Sequence, residues 1–502
     1  MKKIIALSAV AFLSTVTFAN TEASTEMQAQ IDELNAKIAK LEKKQVSNTK
    51  GISRVNKLAN NDNIKFDVDF RTSYDNIQYE TVGGTRYKNE ALYSNRLWLG
   101  MGYAPTKDMV FRGQLSMNKA FGASYGQRAT GMGFDTFDWI INEQLTDDTL
   151  KVREVYWLWT PTVGGFPTTV SVGRRPSTNG NLINLRDDDK EQSPMGHVIN
   201  MEFDGASAGI KLDKLVTGMS FKLCLGRGLT NATSWASQAT KAVNGAMGVG
   251  TDLPNYVEDG SNLDNTDMAG FIFVPYDDGQ YQVKTTWFRG FSVPGMYATT
   301  IDGTTGQPTA YTMESGGDMD GGAISFKVEG IGDEINDFLD ETIIFASFAY
   351  SKSHPEDITR TVVGGPEADV YTDASMLGSS ESETGYSQWI GIQMPNLTGG
   401  RFGLEYNRGS KNWKSFTYGE DTMVGSKMAV RGNAYEAYWT QPIIDKVFSM
   451  QVRYTYLDYD YTGSNGFFGD GSTSMEIDSA GSLAMDSVET AQDIRVYFRY
   501  RY

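Results

Sequence analysis

His197 and His354 are the only histidines in the 502 residues, and Cys224 is the only cysteine. Two histidines far apart in expected loops leave little for a multi-histidine metal site. No Ser or Asp constellation accompanies them for general-base or nucleophilic catalysis. Cys224 follows Lys222-Leu223 with no adjacent His or Arg to activate its thiol, so it reads as a small structural residue. It also has no disulfide partner. Asp318-Met319-Asp320-Gly321 and Asp470-Gly471 resemble fragments of calcium loops. Neither has the full twelve-residue ligand pattern, so both read as solvated acidic loops. Gly164-Gly165 and Gly364-Gly365 have no phosphate-loop context and read as turn glycines. The sequence therefore predicts no enzyme, no metal and no cofactor.

The chemistry that remains is fixed charge. Arg186-Asp187-Asp188-Asp189-Lys190-Glu191 concentrates both signs in one connection, Pro176 to Phe203, which is entered through Arg174-Arg175. Charges of this kind sort ions when they face one another across a narrow passage, and are muted by salt when they stand on an outer surface. Which applies depends on the elements that carry them.

Those elements are strands. Ile64, Phe66, Val68 and Phe70 alternate with Lys65, Asp67, Asp69 and Arg71, giving one greasy and one charged face. Leu97, Leu99, Met101 and Tyr103 alternate with Arg96 and Gly100. Phe111, Leu115 and Met117 then oppose Arg112, Gln114 and Ser116. Carried along the chain, the pattern predicts about sixteen strands between Ile64 and Tyr502. Short turns such as Asp277-Asp278-Gly279 and Pro442 to Asp445 separate them from long polar loops such as Thr230 to Asp267 and Thr462 to Thr490. The first connection is expected at Thr81 to Asn89. The outward phase is ambiguous in two strands, Val152 to Trp159 and Met268 to Pro275. Long connections on one end and short ones on the other are the arrangement of an antiparallel membrane barrel, whose mean hydropathy, here −0.38, is kept low by alternation. Sixteen strands enclose an aqueous space, so the inward wall is the functional surface. Arg96, Arg112, Arg174, Arg175, Lys222, Arg453 and Arg495 are expected to line it. The inward set is about twofold richer in bases than in acids within a chain of formal charge −17, so the acids belong mainly to the loops.

Before the strands, Lys2-Lys3, the apolar run Ile4 to Phe18 and small residues around Ala19 have the layout of a secretory signal peptide, residues 1–19. Residues 20–60 are then expected to form a helix and linker, with a helical period from Thr25 to about Lys44. Met27, Ile31, Leu34, Ile38 and Leu41 make a short heptad with Ile at a and Leu at d. A lone helix cannot bury that seam, so a homo-oligomer joined through Ile31, Leu34, Ile38 and Leu41 is expected.

The final strand carries Ile494, Val496, Phe498, Tyr500 and Tyr502 on one face and Asp493, Arg495, Tyr497, Arg499 and Arg501 on the other. It resembles the closing strand of bacterial outer-membrane β-barrels, in which the terminal aromatics, here Phe498, Tyr500 and Tyr502, are read by the barrel assembly machinery. Signal peptide, short heptad and barrel together resemble a porin-like outer-membrane family without established function. The resemblance implies an all-β fold at residues 64–502 in contact with outer-membrane lipid and lipopolysaccharide, with the coiled-coil helix in the periplasm. It also implies trimeric or other oligomeric assembly and passive diffusion of small hydrophilic solutes or ions. A substrate-selective channel and a non-conducting structural or adhesive barrel are the alternatives. No nucleic acid partner is expected. In trimeric porins the third external loop folds into the lumen, and Asp187, Asp188 and Asp189 stand where its constriction acids would be.

Overall fold

The computed structural model describes residues 64–123, 145, 147–175, 177–232, 256–258, 263–302, 304, 308–331, 335–356, 377–378, 381–417, 419–463, 474–477 and 487–502. The expected signal peptide and coiled-coil helix lie outside them. Sixteen strands form the barrel. They are β1 (Lys65–Thr81), β2 (Arg86–Tyr103), β3 (Met109–Ala120), β4 (Lys151–Trp159), β6 (Phe166–Arg175), β7 (Phe203–Lys211), β8 (Ser220–Leu229) and β9 (Thr266–Asp277). They continue with β10 (Tyr281–Phe291), β13 (Gly317–Glu329), β14 (Ile343–Pro355), β15 (Thr384–Pro395), β16 (Arg401–Gly409), β17 (Gly432–Ile444), β18 (Phe448–Tyr459) and β19 (Val488–Arg501). A two-residue strand β5 (Thr162–Val163) and a hairpin of β11 (Pro294–Ile301) and β12 (Pro308–Ser315) sit within connections. Every barrel strand pairs antiparallel with its neighbours in the chain, and β1 pairs with both β2 and β19. Closure leaves no edge, which is what lets a sheet stand in hydrocarbon without unsatisfied backbone groups.

The alternation in β19 is realised. Ile494, Phe498, Tyr500 and Tyr502 are 46%, 44%, 40% and 83% exposed on the outer face, while Asp493, Arg495, Tyr497 and Arg499 are buried inside. Tyr502 donates its backbone N–H to the Val68 carbonyl at 2.9 Å and accepts from the Val68 N–H at 2.8 Å, so the last residue belongs to the seam. A Tyr502→Asp variant is expected to reach the surface at severalfold lower levels because a charge would stand on the lipid-facing end of the closing strand. Cell-surface labelling would measure it. Wild-type levels would show that this aromatic is dispensable.

Three expectations are corrected by strand geometry. First, β1 and β2 are 17 and 18 residues long, so the first connection is a four-residue tip, 82–85, rather than Thr81 to Asn89. The opposite end, conversely, carries a longer connection at 330–342 containing the helical turn α2 (Asp337–Asp340). Second, the two strands of ambiguous phase each contain an irregularity. Opposite Gln114 and Leu115 of β3 the register of β4 slips by one residue, and Val152 and Val155, 46% and 41% exposed, both face outward. Arg153 and Glu154 between them break strict alternation, as a bulge does. In β9 the slip lies beside Pro275, which has no N–H to give the ladder. Third, Asp318 and Asp320 are not loop residues. They lie in β13, where Asp318 accepts from Arg289 and Asp320 contacts His354, itself at the end of β14.

Trp157, Trp159 and Trp439 face outward, whereas Trp98 and Trp389 are buried on the inner face. The interior is not uniformly polar. Three apolar clusters fill parts of it, and each joins wall residues to loop residues. The largest includes Phe288, Met319 and Ala349 of the wall with Met195, Val198, Met201, Trp413 and Phe416 of two loops.

Candidate functional site: a charged constriction inside the barrel

Two connections build the site, the loop 176–202 between β6 and β7 and the loop 410–431 between β16 and β17. Both carry too many large apolar residues for solvent-facing segments. Leu182, Ile183, Leu185, Met195, Val198 and Met201 of the first are buried, as are Trp413, Phe416, Val424, Met428 and Val430 of the second. Burying such residues is worth about 1.5–3 kcal/mol each, and the only surface available lies inside the barrel. Backbone pairing locks the two loops together. Asn200 donates to the Phe416 carbonyl at 2.7 Å, and Phe416 donates to Val198 at 3.0 Å. Gly180 allows the arms of the first loop to meet, since a Cβ there would stand 2.2 Å from the Pro194 carbonyl oxygen.

The tip of the first loop is a single helical turn, α1 (Ile183–Arg186), bracketed by Leu182 and Asp188 with φ of 74° and 51°. Left-handed non-glycine residues cost about 1 kcal/mol or more each and persist only where surroundings hold them. The wall does so. Gln393 donates to the Leu185 carbonyl and Gln451 to the Arg186 carbonyl, both at 2.7 Å. Asn181 donates to Gln282 at 2.7 Å and accepts from Ser325 at 2.8 Å. His197 bridges Ser347 and Ser387 at 2.8 and 2.9 Å, and burial pulls its pKa down to about 3, so it is neutral. The tip of this loop is thus held by side chains of the inner wall.

Its acids are divided. Tyr497 donates to the Asp187 carboxylate at 3.0 Å, and Arg499 donates to the Asp187 carbonyl at 2.9 Å and the Asp189 carboxylate at 2.8 Å. Arg501 lies 3.0 Å from Asp189 and donates to the Asp188 carbonyl at 2.9 Å. The Asp188 side chain is exposed. Burial pushes the Asp187 carboxyl up, but Arg186, Arg453 and Arg499 outweigh it and hold it well below the usual carboxylate range.

Behind the tip, Arg186 donates to Glu420 at 3.0 Å and to Glu436 at 3.2 Å. Lys427 contacts Glu436 directly, donates to Glu405 at 2.7 Å and lies 3.8 Å from Glu420. Asp421 of the second loop takes hydrogen bonds from Arg71 at 2.8 Å and Arg495 at 2.9 Å, and Arg96 lies 3.6 Å away. Burial opposes its ionisation, yet Arg71 and Arg495 drive its pKa far down. Arg453 donates to the Asp421 carbonyl at 2.6 Å. Loop acids are thus shared among wall arginines, Asp421 among Arg71, Arg96 and Arg495 and Asp189 between Arg499 and Arg501.

Of the expected lining residues, Arg96, Arg453 and Arg495 sit in this buried network rather than on an open wall. Arg174 lies on the opposite face of β6 from Arg175 and stands 3.7 Å from Asp204, because adjacent strand residues alternate. Arg112, exposed, and Arg175 and Lys222, half-buried, line the other arc of the interior together with Glu154. Sequence reasoning missed Arg153, which donates to Gln114 at 2.6 Å and stacks over Trp98 at 4.2 Å, and it missed the whole second loop. The apolar content of residues 413–430 was the available signal.

The inward-folded loop in a sixteen-stranded wall is the frame against which known proteins compare. OmpF of Salmonella typhi, solved in complex with daunomycin, is 10% identical, with a TM-score of 0.43 over 87% of this chain and 98% of its own. OprB of Pseudomonas putida, solved at high pH, is 10% identical with a TM-score of 0.45 over 90% and 97%. A mutant porin of Rh. blastica is 10% identical with a TM-score of 0.39 over 88% and 100%. No curated protein matches the sequence. The chain's own strand pairing makes it a closed antiparallel barrel of sixteen strands. A family model matches residues 86–502, from β2 to the last residue, and the chain belongs to that family, described as protein of unknown function (DUF3373).

Proposed function

We propose that the protein is a selective outer-membrane channel for small anionic solutes. One observation carries this reading. The loops and wall fill one arc of the interior with neutralised charge, while Arg112, Arg175 and Lys222 on the other arc retain exposure with Asp67 and Glu154 as the nearby acids. A wide pore for general diffusion would need that filled arc to be open, so the packing favours selection over free passage. Purified protein in planar bilayers under a KCl gradient is expected to give small, anion-favouring conductance, and liposome swelling is expected to reject neutral sugars. Cation preference with free sugar entry would sink this reading. The three apolar clusters favour a second one, a barrel that does not conduct, which absence of any current would support.

Assembly is proposed to run through the heptad of Ile31, Leu34, Ile38 and Leu41. Deleting residues 25–44 is expected to convert most oligomer to monomer on mild-detergent gels while the barrel stays folded, because closure is internal to residues 64–502. Unchanged oligomer bands would remove the helix as an assembly element.

A further inference from the structure

Between the first inward loop and the wall of β6 to β10 lies a cavity of about 80 Å³. Its ends differ in chemistry. At one end stand Arg175 and Lys222 with the hydroxyls of Ser177, Ser193 and Ser207. Lys222 donates to Ser193, and Arg175 stacks 4.8 Å above the Tyr156 ring while its buried Nη1 has no hydrogen-bond acceptor. At the other end stand Ile199, Met268 and Phe288 of one apolar cluster, while Phe203 of the same cluster pairs with Arg175 across β6 and β7. Bare backbone runs along the wall between them, because Gly173, Gly205 and Gly226 pair in register across three strands.

A buried guanidinium nitrogen without an acceptor is costly unless a ligand supplies one. Two cations fix one anionic group, and the apolar end fixes a body a few carbons long. We infer that this cavity is a binding site for organic carboxylates with a compact apolar body. This rests on the proposed anion channel and names the class of solute that would pause within it. Chloride would use the cations alone, and a sugar would find no polar partners at the apolar end.

Cys224, the only cysteine, lines the cavity between Lys222 and Gly226 and reports on it without any current being measured. In full-length protein in detergent, the Cys224 thiolate would form a mixed disulfide with a small charged methanethiosulfonate, releasing methanesulfinate, with benzoate as the probe and benzamide as its neutral counterpart. Benzoate is expected to slow the reaction about tenfold at saturation and benzamide to leave it unchanged. Arg175→Gln and Lys222→Gln are each expected to raise the half-protecting benzoate concentration about tenfold, the usual loss for a hydrogen bond to a charged group. Lys88→Gln, on the outer face of the rim, is expected to behave as wild type. Equal protection by benzamide, wild-type protection in both folded variants, or a Cys224 that never reacts would each overturn the assignment. Should the two variants misfold, the benzoate and benzamide comparison on wild type decides alone. Protection without bilayer conductance would leave the site standing and remove the channel, whereas conductance without protection would do the reverse.

Discussion

An Arg186→Met variant is expected to release the inward loops and raise single-channel conductance severalfold. Arg186 is the cation that Glu420 and Glu436 share, and both carboxylates are fully buried. Burial opposes its charge, but Glu436, Asp187 and Glu420 hold its pKa well above the usual arginine value. Without it, Glu405, Glu420 and Glu436 would face Lys427 alone, and breaking a buried pair from one side costs about 3–5 kcal/mol. The barrel cannot relieve that strain, because strand pairing fixes Glu405 and Glu436. The loops can, by moving Glu420 and Lys427 toward water. A penalty of this size shifts a docked-to-undocked equilibrium by roughly 10²–10⁴-fold. Arg186→Lys keeps the charge but loses the fork that reaches two carboxylates, so a smaller effect is expected. Pairing Arg186→Met with Glu436→Gln should recover part of the docked state, since one unmatched carboxylate disappears with its partner. Bilayer recordings and limited proteolysis within residues 177–202 would measure both. Unchanged conductance and protease resistance in a folded Arg186→Met barrel would show that this cluster does not hold the loops.

The barrel was legible in the sequence because period-two alternation is imposed separately on each strand by lipid outside and polar contacts inside. Phe66 and Phe70 against Asp69 and Arg71 state the rule without needing a partner. The bulge at Arg153 was not legible, because its evidence is a mismatch between two strands, and one strand alone shows only an unclear phase. The network was half legible. Arg96, Arg453 and Arg495 announced their inward direction, and Asp187 to Asp189 announced a charged loop. What covers the arginines was hidden, since Asp421 lies 350 residues from Arg71 and nothing local couples them. The composition of the second loop did hold a trace of its fate, because Trp413, Phe416 and Met428 have no place in water. The same reasoning explains why an acidic chain covers the wall arginines on one arc of its interior. Loop acids were expected outside, and several instead fold back onto the wall bases.

At the loop tip, the double variant Asp187→Asn with Asp189→Asn is expected to shift reversal potential under a KCl gradient strongly toward anions, while Asp188→Asn alone is expected to change little. Two carboxylates would vanish beside Arg499 and Arg501, but both arginines would still donate to the carbonyls of Asp187 and Asp188. The tip should therefore stay close to the wall, making the change electrostatic rather than structural. Arg499 would keep its ion pair with Asp69, at 2.9 and 3.0 Å, while Arg501, 3.9 Å from Asp69, would act on a passing ion at short range, where unit charges 4 Å apart interact by about 4 kcal/mol at an effective dielectric of 20. A rise of about tenfold or more in anion-to-cation permeability at low salt follows, shrinking as the screening length falls. Asp188 is solvent-facing and its carboxylate has no described partner at the tip, so its charge is already screened. Acid should not imitate the double variant. Because Asp187 is held well below the usual range, its stabilisation is complete above the unfolded value of about 3.8 and is lost only as pH falls through the lower folded value. The part of wild-type selectivity that Asp187 carries should thus stay flat between pH 7 and about pH 5. Reversal potentials of the three proteins at two salt concentrations and two pH values would decide it. An equal response of Asp188→Asn and the double variant, or a wild type that turns anion-selective by pH 5, would show that Asp187 and Asp189 do not cover these arginines in the working channel.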